Sequence, residues 1–225
     1  MHIEPGVVHG AKMLLAYGTA AGAAGYAMKE IAGDLARRSL PSFALRAGLA
    51  TVAVFVFFEV LPHFPVGISE VHFILGTTLL LLLGTGPAAL GLAAGLGIQG
   101  MLFAPSDLPM YYVNMTTLLV PLFVIHAMAR RVLPQGVAYV DLGYADVLKL
   151  SAAYQGGVVA WVAFWAFWGQ GVGAETMASV LAFGGAYMLV VLIEPVADLA
   201  VLAAAKSLKG LKGSGLVNDR LYTAA

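Results

Sequence analysis

Seven apolar stretches, most of them near the length of a membrane span, take up most of this 225-residue chain. A spanning helix needs about 20 mostly apolar residues, so the connections between these stretches leave no room for an aqueous domain. They run from about Gly10 to Met28, Ala44 to Leu61, Val71 to Leu83, Pro87 to Phe103, Val113 to Met128, Lys149 to Trp168 and Thr176 to Ala204. Hydrophobic residues make up 60% of the chain and charged residues 11%, which is about half the charge of a soluble domain. That balance excludes a disordered chain, a basic nucleic-acid binder and an ordinary soluble enzyme. The predicted class is all-α: a polytopic membrane bundle of seven transmembrane helices. It forms one domain over residues 1–225, with a leading segment 1–9 and a tail 205–225. Gly84-Thr85-Gly86 predicts a tight hairpin between the third and fourth helices, and Glu194-Pro195 predicts a kink in the last.

Lys and Arg stay on the cytoplasmic side of a membrane, so their placement sets the orientation. Lys29, Arg37, Arg38 and Arg46 fall in or beside the first connection. Arg130, Arg131 and Lys149 frame the fifth, and Lys206, Lys209, Lys212 and Arg220 lie in the tail. Seven spans put these three regions on one side, with eleven of the twelve cations; Lys12 alone sits toward the other. The chain start is predicted outside and the C-terminus in the cytoplasm.

The start, Met1-His2-Ile3-Glu4-Pro5-Gly6, has no basic leader or cleavage site of the secretory kind. A bulky second residue disfavours removal of the initiator, so Met1 is expected to persist with a free α-amine. The Met1 amine, the His2 amide nitrogen and the His2 imidazole can close two fused chelate rings around one ion. Such a ligand set favours tetragonal or square-planar geometry, which suits Ni(II) or Cu(II), with Co(II) also accommodated, and disfavours Mg²⁺ and Ca²⁺. The alternative is a solvated Met-His start with no role. With no cysteine in the chain, a thiolate site is excluded.

Of the five histidines, His2, His9, His63 and His72 map to the outer half. His72 stands where the second outer connection, Pro62 to Val71, enters the third helix, within reach of the chain start as a fourth nitrogen. Gly67 suits a loop folding back over a site; the alternative for His72 is an interfacial position facing headgroups. His9 can approach from the first helical turn. His63 reads as a loop residue, and His126, near Arg130 and Arg131, as interfacial.

These residues together resemble the substrate-capture component of cobalt and nickel energy-coupling-factor transporters, the CbiM/NikM family. The matching elements are Met1-His2-Ile3-Glu4-Pro5-Gly6, Gly67-Ile68-Ser69-Glu70-Val71-His72 and Asn114-Met115, with Leu192-Ile193-Glu194 near the end. The resemblance covers most of the chain. It implies a square-planar site built by Met1 and His2 with His72, an N-terminal helix that inserts both into the bundle, and Asn114 and Ser69 as supporting residues. It implies capture of Co(II) or Ni(II) as transported ligand, without a resident cofactor, in the bacterial inner membrane, in the context of cobalt supply for cobalamin biosynthesis. It further implies a transmembrane coupling subunit, ATP-binding cassette ATPase subunits and a small accessory membrane protein as partners. The family loop commonly reads Gly-Gly-Thr-Ser-Gly-His; here Glu70 and Val71 replace the single glycine, and Glu70 either tunes the charge of the site or faces solvent, the second being the expectation.

The remaining features have ordinary readings. Glu59 lies where snorkelling to the interface is cheap, while Glu194 and Asp198 share one face of the last helix without an evident cation and either hydrogen-bond another helix or take part in coupling. The small residues Ala16, Ala20 and Ala24, and Gly91 and Gly95, allow close helix approach. Trp161, Trp165 and Trp168 read as an aromatic belt. No phosphate-binding Gly-x-x-x-x-Gly-Lys-Ser/Thr loop, His-Glu-x-x-His or Gly-x-Ser-x-Gly occurs, so a non-enzymatic subunit driven by partner ATPases is expected. The alternatives are a structural or assembly membrane protein and a stand-alone divalent-metal permease.

Overall fold

The computed structural model describes residues 2–133 and 136–224. It is mostly helical. The order is α1 (Met13–Leu35), α2 (Leu40–Phe55, continued by a π-helical turn Val56–Val60), a hairpin of β1 (Phe64–Val66) and β2 (Ser69–Val71), then α3 (Gly76–Leu83), α4 (Thr85–Leu102), α5 (Tyr111–Val132), α6 (Tyr144–Gln170) and α7 (Ala174–Ser207). Each apolar stretch thus carries one of the seven α-helices among the described residues. Four segments are long and apolar enough to cross a membrane unaided: Leu40–Val60, Pro105–Arg131, Tyr144–Gln170 and Ala174–Ser207.

The third stretch departs from expectation. Its helix starts at Gly76 rather than Val71, and its eight residues rise only about 12 Å, well short of a bilayer. Leu75 takes a left-handed conformation, with φ of 54°, which breaks the chain between the β2 edge and the helix. The first N–H groups of such a short buried helix need acceptors from elsewhere. Glu194, near the middle of α7, accepts from the N–H groups of Ile74 and Leu75 and from the Gln155 amide. Asp198, one turn on, accepts from the N–H of Thr78 at 3.1 Å and from its hydroxyl at 2.5 Å.

The other end of α3 is held by a cation. Arg46 is fully buried, donates to the Leu83 carbonyl at 2.7 Å and forms a two-pronged pair with Asp34 at 2.5 and 3.0 Å. Acids at its N-terminal end and Arg46 at its C-terminal end complement the helix dipole. The two acids without an evident cation are therefore structural acceptors for a broken helix, a kind of irregular backbone that membrane proteins tolerate only where protein encloses it.

Small residues set the helix spacing. A Cβ on Gly91 would lie 2.2 Å from the Ala50 Cβ, and one on Gly95 would lie 2.7 Å from Val54, so α4 packs directly onto α2. The buried stripe of α1 is Ala16, Ala20, Ala23 and Ala27, whereas Ala24 is exposed. Trp165 is a correction to the aromatic belt: it is fully buried, and its indole donates to Thr116 at 3.2 Å. Gly84 alone, at φ of 92°, joins α3 to α4, which confirms the tight hairpin. The helix α7 continues through Pro195. Beyond it the tail folds back beneath the bundle, where the Asn218 N–H donates to Leu82 at 2.6 Å and Arg38 pairs with Asp219 at 3.0 Å.

Candidate metal centre

The centre is built by strand pairing. Residues 2–4 lie extended beside β2, with Ile3 bridged antiparallel to Ser69. The Glu70 N–H donates to the His2 carbonyl at 3.0 Å, and the Glu4 N–H to Ile68 at 3.2 Å. The Ser69 hydroxyl donates to the same His2 carbonyl at 3.0 Å. From the opposite side, Asn114 on α5 accepts the Ile3 N–H at 2.8 Å. Ile3, Ser69 and Asn114 are all buried, so these bonds form away from water. Gly67 makes the loop possible: at φ of 61°, a Cβ there would meet the Ser179 carbonyl of α7 at 2.3 Å.

Side chains alternate along an extended chain. Ser69 and Val71 face the protein, which leaves Glu70 and His72 projecting together toward His2. The ligand atoms of His2, Glu70 and His72 lie within 4.8 Å of one another. His2 Nδ1 donates to Glu70 Oε2 at 2.8 Å, and the two imidazole rings are 5.4 Å apart between centroids. Phe58 packs against both rings, at 5.8 Å from His2 and 4.3 Å from His72. His72 Nδ1 donates to the Phe73 carbonyl at 3.1 Å, so its lone pair is on Nε2.

Electrostatics favour unprotonated ligands. Burial pushes the His2 imidazole below its ordinary value, against the opposing pull of Glu70. Burial works to raise the Glu70 carboxyl, but its hydrogen bond and charge interaction with His2 outweigh that, and it lies below the usual carboxylate range. The centre therefore offers neutral imidazole and ionised carboxylate, the forms a cation requires.

The structure brings His2, His72, Ser69 and Asn114 together. His9 is elsewhere: it is exposed and its Nδ1 bonds to the Gly6 carbonyl at 3.0 Å. Met1 lies outside the described residues. Glu70 is a correction, because it turns to His2 rather than to solvent. His126 is half-buried, bonded to Thr85 at 2.7 Å and facing Glu30, far along the bundle from the His2 cluster.

Residues 2–210 match the family described as the cobalt uptake substrate-specific transmembrane region, CbiM. The chain belongs to this family. A solved structure titled as a truncated transition metal transporter shares the fold, with a TM-score of 0.68 at 18% identity over 92% of this chain and 99% of that one. No curated protein matches significantly. As a CbiM-family member the chain is a metal-uptake membrane component, and the His2 cluster is the place where its residues converge as metal ligands would.

Proposed function

We propose that this chain captures Co(II) or Ni(II) outside a bacterial cell and delivers it inward as the metal-binding subunit of an energy-coupling-factor transporter. The convergence of His2, Glu70 and His72 on one enclosed point carries this reading. In a chain that begins at Met1, the α-amine and the His2 amide nitrogen complete a chelate with the His2 imidazole, and His72 supplies the fourth nitrogen. Ser69 and Asn114 hold the strand that presents His2. The seven helices form the inner-membrane bundle, with the centre on the outer side and the tail in the cytoplasm.

Energy comes from outside the chain. Partner ATPases and a transmembrane coupling subunit drive the subunit to release its ion inward, and the chain itself performs no chemical step. Reconstitution tests this. Proteoliposomes holding the full assembly should accumulate radioactive cobalt or nickel only with ATP, and His72→Ala should abolish that uptake. Accumulation by this chain alone would refute the coupling and favour a stand-alone permease.

A further inference from the structure

Among the described residues no Lys or Arg forms an ion pair with the Glu70 carboxylate, which meets the His2 imidazole instead. Its side chain is 23% exposed, and it points inward onto two imidazoles that are both almost fully buried. A carboxylate placed among nitrogen donors, with no Lys or Arg paired to it among the described residues, has the surroundings of a metal ligand.

The distances agree. Two ligand atoms that each lie ~2.0–2.1 Å from an ion, at right angles, are ~2.9 Å apart. His2 Nδ1 and Glu70 Oε2 are 2.8 Å apart, so an ion replacing the shared proton finds both atoms at coordinating separation. The backbone fixes this arrangement. The Glu70 N–H bonds the His2 carbonyl, Glu70 alternates with the inward Ser69 and Val71 of β2, and His72 follows the strand directly. The two-residue Glu70-Val71 spacer between Ser69 and His72 therefore turns Glu70 to the ion's side.

We propose that Glu70 is a direct oxygen ligand of the transported ion and biases the centre toward Co(II) over Ni(II). This rests on the capture reading above. Four nitrogens in a plane satisfy low-spin Ni(II), which gains little from a further axial donor. Co(II) accepts five or six ligands and gains from a charged oxygen. Charge supports the ligand role for either ion, since a divalent ion with one deprotonated amide keeps one positive charge, which Glu70 neutralises within a buried site; the preference for Co(II) rests on coordination number.

The test titrates the purified full chain separately with Co(II) and Ni(II), in native, Glu70→Gln and Glu70→Gly forms. Cobalt absorption and cobalt-edge X-ray spectroscopy accompany the calorimetry. Cobalt affinity should fall about ten- to a hundredfold in Glu70→Gln while nickel affinity changes less than about threefold. The cobalt spectrum should lose one oxygen neighbour in Glu70→Gly, which removes the donor altogether. Equal loss for both metals, or an unchanged cobalt spectrum, would overturn the ligand role and leave Glu70 as a hydrogen-bond partner of His2. A native chain that binds neither metal would overturn the capture reading itself, and that outcome is distinct from a native chain that binds both without preference.

Discussion

Replacing Asn114 by Leu isolates the step that docks the chain start. Asn114 Oδ1 accepts the Ile3 N–H at 2.8 Å, with Asn114 1% exposed and Ile3 fully buried. Leucine has similar bulk and no acceptor, so docking would bury an N–H without a partner at a cost of ~1–3 kcal/mol. The metal-free chain can avoid that cost by releasing residues 2–4, because strand pairing there is short. A bound ion requires the docked state, so the penalty falls on affinity. At 1.4 kcal/mol per tenfold, Kd should rise about 5- to 150-fold. The bundle should keep its Tm, because the Asn114 amide nitrogen is itself buried without a hydrogen bond among the described residues, and leucine removes that unsatisfied group. Calorimetric titration with Co(II) and thermal unfolding of the same samples read the two quantities. A Kd within twofold of native would refute the argument that this hydrogen bond holds the segment for binding; Asn114→Asp, which keeps an acceptor, should still bind.

Two further predictions address the clamp around α3. Arg46→Met leaves Asp34 buried without its partner and should cost ~3–5 kcal/mol, seen as a fall in Tm in detergent, while Arg46→Met with Asp34→Leu should recover most of it. Glu194→Leu removes the acceptor of the Ile74 and Leu75 N–H groups, so hydrogen exchange at those amides should accelerate, and metal affinity should drop because His72 stands on the freed segment.

The helical plan was legible because apolar runs and glycine breaks are local signals. The seven stretches, the Gly84 hairpin and the Gly91-Gly95 approach needed no knowledge of distant residues. What escaped depended on partners far along the chain. Val71 to Leu83 is apolar throughout, and hydropathy does not separate buried extended chain from helix. The break before Gly76 is fixed by Glu194, some 120 positions away. Glu70 looked solvent-facing because its partner, His2, is 68 positions earlier. Alternation was the one signal that could have found it: once Ser69 and Val71 are read as inward, Glu70 must share the side of His72. Trp165 escaped for a similar reason, since its burial comes from packing beside Thr116 of α5.

The account rests on a chelate that begins at the first residue, and lengthening the chain tests it most directly. Two glycines added before Met1, with their retention verified by mass spectrometry, move the amine out of the chelate ring while leaving the His2 and His72 side chains in place. Titration of native and extended forms with Co(II) and Ni(II) should show tight binding in the first and its loss in the second. Equal affinity in both would contradict the account.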